Sequence, residues 1–242
     1  MSFRNGDFAG NAALYDVNPR TGETTNARQS GADVLLGLAR EPTGRLLSMT
    51  DSFGRVNGVS VPGGLVALDP RSGATTVVGL LGLESVNEGD LAFNPADGKL
   101  YAVTSGGGAS TLVTVDPVGG AATPIGALPA ADASAMAFTN EGRLFVLDTT
   151  FQRPTGAATL YEVDPATGRA LASFDTGVAL GNVAGMAFEP SRGSLYVADG
   201  DNNGTNRLYV LDPATGALTD VGPTTVPGFF GGLAGLVFLP AP

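Results

Sequence analysis

The side chains of this chain best suited to chemistry are oxygen donors. Asn87, Asp132 and Asn182 each stand six residues before a Phe that closes a recurring stretch, at Phe93, Phe138 and Phe188. Asp33 is one residue out of that register, and Glu88 adjoins Asn87. Carboxylate and amide oxygens gathered in a ring are the ligands that Ca²⁺ and other hard cations take. The plainer reading is that Asn and Asp bond to the backbone where strands begin. A second cation candidate is Asp199-Gly200-Asp201-Asn202-Asn203-Gly204. Asp199, Asp201 and Asn203 match the first half of a calcium loop, but the twelfth position is Val210 rather than a bidentate acid. Such a half-site would need another loop to complete it, and a polar turn explains the same residues.

Other side chains are candidates for binding. Arg40 replaces the Phe of the other stretches, so it is either an anion hook facing a channel or a local repacking that reaches an acid or solvent. Asp51 and Asp148 stand at or next to a column of polar residues, Thr50, Thr104, Asp148, Asp199 and Asn5, that end apolar strands. Their plain reading is a hydrogen bond between loop and side chain. Phe229-Phe230 would form an apolar lip beside a binding face, or pack under a loop.

The composition removes whole classes of mechanism. With no His and no Cys, neither imidazole nor thiolate is available for catalysis or for a soft metal, and no disulfide can form. The net charge of −10 repels phosphate backbones, so no nucleic-acid partner is expected. The longest apolar runs are far short of a membrane span. Met1-Ser2-Phe3-Arg4 does not read as a signal peptide.

The elements that position these residues come from a repeat. Leu14 to Gly22, Leu65 to Gly73, Leu112 to Gly120, Leu160 to Gly168 and Leu208 to Gly216 share the pattern Leu-x-x-x-(Asp/Asn)-Pro-x-x-Gly. The spacings between their leucines are 51, 47, 48 and 48 residues. Each is an apolar strand running into an Asp-Pro turn. Pro presets the corner, Asp bonds back to the backbone and Gly supplies a positive φ. Two further apolar strands precede each of the last four, as in Leu91-Ala92-Phe93 followed by Leu100-Tyr101. The unit is therefore strand a, tight turn, strand b, variable loop, strand c, Asp-Pro turn, strand d. Four antiparallel strands in about 48 residues make one propeller blade.

The sequence thus predicts an all-β protein, a five-bladed β-propeller of four-stranded blades, with residues 1–242 as one domain. Residues 1–30 supply strands b, c and d of the last blade, and residues 233–242 supply its strand a. Pairing the C-terminal strand with the N-terminal strands closes the ring and removes its free edges.

The repeats resemble bacterial propeller repeats of the Tyr-Val-Thr-Asn surface-layer and NHL-like types. They are especially similar to uncharacterised families whose units read Leu-Tyr-x-Val-Asp-Pro-x-Thr-Gly, as Leu160 to Gly168 does here. The resemblance implies the fold and a secreted, periplasmic or cell-surface location in a bacterium. It leaves function open, because propellers host many activities. Three readings follow. A non-catalytic binding or scaffold propeller, monomeric, would take a protein or glycan on the face of its b–c and d–a loops. A metal-dependent hydrolase, resembling gluconolactonase-like propellers, would hold a cation such as Ca²⁺ at the channel mouth. An excised or engineered propeller would have no activity of its own.

Overall fold

The computed structural model describes residues 12–105, 109–149, 156–180, 185–199, 206–224 and 233–239. Among them every regular element is a strand. The first two, β1 (Ala13–Val17) and β2 (Thr24–Gln29), form a two-stranded antiparallel sheet. Blade 1 is β3 (Leu36–Arg40), β4 (Leu46–Met49), β7 (Gly64–Leu68) and β8 (Thr75–Leu80). A small hairpin, β5 (Arg55–Val56) with β6 (Val59–Ser60), rises between β4 and β7. Blade 2 is β9 (Glu88–Phe93), β10 (Leu100–Ser105), β11 (Thr111–Val115) and β12 (Ala122–Ala127). Blade 3 is β13 (Ala133–Phe138), β14 (Leu144–Asp148), β15 (Thr159–Val163) and β16 (Ala170–Asp175). Blade 4 is β17 (Gly185–Glu189), β18 (Ser194–Asp199), β19 (Arg207–Leu211) and β20 (Leu218–Pro223).

Each blade is an antiparallel meander in the a, b, c, d order read from the repeat, and the whole is an all-β propeller. Where five four-stranded blades were expected, the described residues form four, plus the β1–β2 sheet. The remaining pieces of the expected fifth behave differently. Residues 1–5, its strand b, lie outside the described residues. Residues 233–239, its strand a, carry no strand ladder, although the Gly37 N–H donates to the Ala234 carbonyl at 2.7 Å.

Strands a and b are buried on both faces, as strands between neighbouring blades must be. The d strands consist mostly of exposed and half-buried residues, which marks the rim. The a strands β3, β9, β13 and β17 touch one another from blade to blade around the axis. Apolar burial lies in the seams between blades. Leu47 and Leu65 of blade 1 meet Leu91 and Leu100 of blade 2. Val103 and Leu112 of blade 2 meet Met136 and Val146 of blade 3. Phe145 and Leu160 of blade 3 meet Met186 and Val197 of blade 4. Tyr15 of β1 packs with Tyr196, Leu233 and Phe238, while Leu14 packs with Leu46, Val66 and Val237.

The Asp-Pro turns form as their residues dictate. Asp69 accepts the N–H groups of Arg71 and Ser72 at 2.7 and 2.8 Å. Asp164 and Asp212 accept the N–H two residues on and the hydroxyl of Thr167 or Thr215. The chain then reverses at a glycine with φ between +76° and +87°, at Gly22, Gly73, Gly120, Gly168 and Gly216. No helix among the described residues is long and apolar enough to cross a membrane.

Candidate functional site

The start of every inner strand lies on the face that also carries the b–c and d–a loops. Two acids from adjacent blades meet there. Glu88 opens β9, and Asp132 immediately precedes β13. Both are buried, and their carboxyl groups share a hydrogen bond. The sequence count pairs Asp132 with Asn87. A β-bulge at Ala133/Ala135 overturns that count, because Ser134 is an extra residue in β13. Ala133 therefore stands opposite Asp148 as Gly89 stands opposite Thr104, which makes Asp132 the counterpart of Glu88.

Asp148, buried at the end of β14, accepts the Asp132 N–H through Oδ1 at 2.9 Å. Thr149 donates its hydroxyl to Asp132 Oδ2 at 3.4 Å. The other Asp132 oxygen, Oδ1, is buried with no N–H or O–H donor among the described residues. Burial first, then the hydrogen bond and charge of Glu88 and the charge of Asp148, together push the Asp132 carboxyl up to about 7. Burial works on Glu88 in the same sense, but the opposing effects, led by the hydrogen bond from Asp132, hold it below its usual value. Below about pH 7 the pair thus shares one proton.

A third acid, absent from the sequence expectations, lies deeper. Asp90 in β9 is fully buried. Its Oδ1 accepts the N–H groups of Leu38 (3.3 Å) and Leu91 (2.8 Å), and its Oδ2 those of Met136 (2.9 Å) and Met186 (3.4 Å). These donors come from the inner strands of all four blades, at one repeat position, two residues before Arg40, Phe93, Phe138 and Phe188. Burial pushes the Asp90 carboxyl well above the usual range, and the four N–H groups pull against it. Each oxygen has two lone pairs, and each is met by two donors.

Sequence reasoning missed Asp90 because the strand reads as apolar. A signal was present nonetheless. One residue earlier in the repeat stand Gly37, Asp90, Ala135, Gly185 and Gly235, four minimal residues and one acid.

The other candidates are placed as follows. Asn87 is tied to its own surroundings, its N–H donating to the Ser105 carbonyl and its Oδ1 accepting from Ser85 at 3.4 Å. Asp33 is half-buried, and its N–H donates to the Arg55 carbonyl in the β5–β6 hairpin. Asp51 is buried, accepts the Phe53 N–H at 3.0 Å and holds Gly54 and Gly63 through its carbonyl, so it shapes the loop between β4 and β7. Arg40 is half-buried beside the turn at Gly44, at the opposite end of β3 from the acids. Asp199 is buried at the end of β18, opposite Arg207. Asn182, Asp201, Asn203, Phe229 and Phe230 lie outside the described residues. Among the described residues no three Asp, Glu, His or Cys side chains gather closely enough to hold a metal ion.

Fold and site define an all-β propeller with acids at its axis, and comparison with known proteins agrees on the architecture. Residues 85–235 match a repeat family of unknown function, DUF6923, and the chain belongs to that family. No curated protein matches it. Among solved structures, nidogen in its complex with laminin is similar at a TM-score of 0.56 and 13% identity, over 96% of this chain and 81% of that one. A GH43 glycoside hydrolase with endo-xylanase and exo-arabinofuranosidase activity is similar at 0.57 and 10% identity, over 86% and 43%. A gluconolactonase from Xanthomonas campestris is similar at 0.50 and 18% identity, over 83% and 64%. This chain spans less than two thirds of the two enzymes, and identities this low speak for the fold alone.

Proposed function

We propose that the protein is a five-bladed, non-catalytic binding propeller that takes a protein ligand on the face carrying its b–c and d–a loops. The observation that carries this reading is the contrast between the two faces. On one, the Asp-Pro turns repeat a single local geometry. On the other, the loops differ, and the best described of them is built as a platform. Its hairpin turns at Asn57 and Gly58, both at positive φ, and displays Val59 (66% exposed), with Phe53 (59% exposed) in the segment just before it. Thr50 anchors the platform by donating to the Val61 carbonyl and accepting the Gly64 N–H. Function tends to sit on variable loops held by a rigid scaffold. The buried acids favour binding over catalysis, since Glu88 and Asp132 are 6% and 1% exposed.

Closure into five is part of this reading, and a chain of close approaches supports it. Backbone at Gly79 of blade 1 abuts Gly119 of blade 2, and Gly126 of blade 2 abuts Thr167 of blade 3. Phe174 of blade 3 lies against Gly216 of blade 4, and Gly222 of blade 4 against Gly22 after β1. Arg28 of β2 then lies against Gly73 of blade 1. The same relation recurs five times and returns to its start, with the β1–β2 sheet in the fifth place. At the axis, Gly235 sits between Gly185 and Gly37. A secreted or periplasmic location belongs to the same reading and rests on the resemblance of the repeats.

The test is a binding screen against secreted and cell-surface proteins with a glycan array alongside. Replacing residues 52–62 by a short turn should abolish capture of the ligand, and a variant altered in the turn at Asp164 should retain it. A ligand that binds both variants equally would place the binding surface elsewhere, and capture only of glycans would change the ligand class.

A second reading has one observation in its favour, the unpartnered Oδ1 of Asp132 in the acid pair. With the shared proton lost, Glu88 and Asp132 would offer a hard cation two carboxylates, and such an ion would supply a Lewis acid for hydrolysis of a lactone. Calorimetry with Ca²⁺ on chelator-treated protein decides it. Heat that vanishes in Asp132→Ala supports a cation at the mouth, and its absence removes the reading.

A further inference from the structure

The structure assigns to the axis of the propeller an anion-binding ring. We propose that the N–H groups of Leu38, Leu91, Met136 and Met186 form a site for a small carboxylate, occupied here by the side chain of Asp90 as a resident ligand. The proposal rests on the convergence of equivalent donors. An inner-strand N–H would ordinarily join a ladder or meet water, and an orphaned one is costly in a buried place. Here one such N–H from each of four blades points to one carboxyl group. Concave sets of backbone N–H groups bind anions in proteins generally.

The surroundings are cut to fit. A Cβ on Gly37 would strike Asp90 Oδ1 and lie 2.7 Å from its Cα. Ala135 and Gly185, at the same repeat position, likewise put no bulk near the carboxylate. The space taken by one side chain in blade 2 is thus left vacant by the other blades. What opposes the cost of burying Asp90 is this set of N–H groups. The ring, not a countercharge, is what makes the acid tolerable.

If the ring is a site in its own right, it should accept a free ligand once the resident one is cut away. Asp90→Ala removes a carboxylate the size of formate. Its Tm should fall by roughly 10 °C, since several buried donors lose their acceptor. Sodium formate should then raise it by roughly 3–5 °C for each tenfold above its Kd. Wild type and Asp90→Asn, whose axis is already filled, report the general salt effect and should move little. In the variant, formate should also shift the ¹⁵N–¹H signals of Leu38, Met136 and Met186. A Tm that rises equally in all three proteins overturns the proposal, as do amide signals that do not respond. If Asp90→Ala is unfolded in buffer, refolding by formate supports the ring, and an unfolded chain at every formate concentration refutes it.

Discussion

At Asp132 a single proton links the acid pair to stability. The group titrates near 7 in the folded protein, against an ordinary value of 3.8. Between about pH 4 and 7 the folded state therefore holds a proton that the unfolded state has lost. Stability contributed by this group is full below that window, declines as pH rises through it and is flat above. Glu88 works the other way and loses its contribution as pH falls below its usual range. Urea unfolding across this window should show a decline on the order of 2–4 kcal/mol in wild type. Asp132→Asn, which can still donate to Glu88, should flatten that decline, and an unchanged slope would assign the proton elsewhere. Gly37 gives a second residue-scale prediction. Its φ of +66° and its contact with Asp90 leave no room for a side chain. Gly37→Ala should lower Tm by roughly 10 °C in a thermal scan, more than any exposed Gly→Ala change. The acids at strand starts were legible from the sequence as residue types. Their pairing was not, because one bulged residue at Ser134 moves Asp132 by a position, and a bulge in an apolar strand leaves no mark in composition.

Turns and loops differ in how far a local pattern decides them. The Asp-Pro turns were readable because Asp, Pro and Gly act on their own backbone within a few residues. Asp212→Ala should therefore remove two local hydrogen bonds, to the Ala214 N–H and the Thr215 hydroxyl, and cost about 1 kcal/mol in urea unfolding. Thr50→Ala should cost more, about 2 kcal/mol, because it strips a buried donor and acceptor from the loop that Thr50 anchors. Equal losses in the two variants would contradict this ordering. That loop was read only as variable. Its β5–β6 hairpin had a local signature, Val56-Asn57-Gly58-Val59, with the Asn-Gly pair that type I′ turns prefer. Its docking had none. The Asn57 N–H donates to the Gly31 carbonyl and Val56 bridges Ala32, so the hairpin folds over the connection that follows β2. Contacts between segments of different blades are set by the ring and not by the residues on either side.

For the molecule as a whole, the repeat spacing made the propeller legible before any coordinate. The number of blades rests on segments whose partners are far apart in the chain. Residues 233–239 hold no ladder of their own, yet they touch blade 1 through Ala234 and Gly37 and pack Leu236 and Phe238 beside Tyr196. Removal of residues 233–242 should therefore act on both neighbours. Hydrogen exchange at the Gly37 amide should accelerate to the rate of a surface loop, and blades 1 and 4 should lose protection before blades 2 and 3. Protection that stays uniform would mean that these residues do not bridge the ring.

Repeat proteins commonly grow and shrink by duplicating or deleting a unit, and a propeller is open to the same change as long as its units are interchangeable. Asp90 makes them unequal. One carboxylate serves strands from four different units, and its two oxygens have only four lone pairs to share. A ring widened by another unit would draw those strands outward, beyond the reach of a single short side chain. A chain with more units would therefore need a different residue at the hub to meet the same N–H groups.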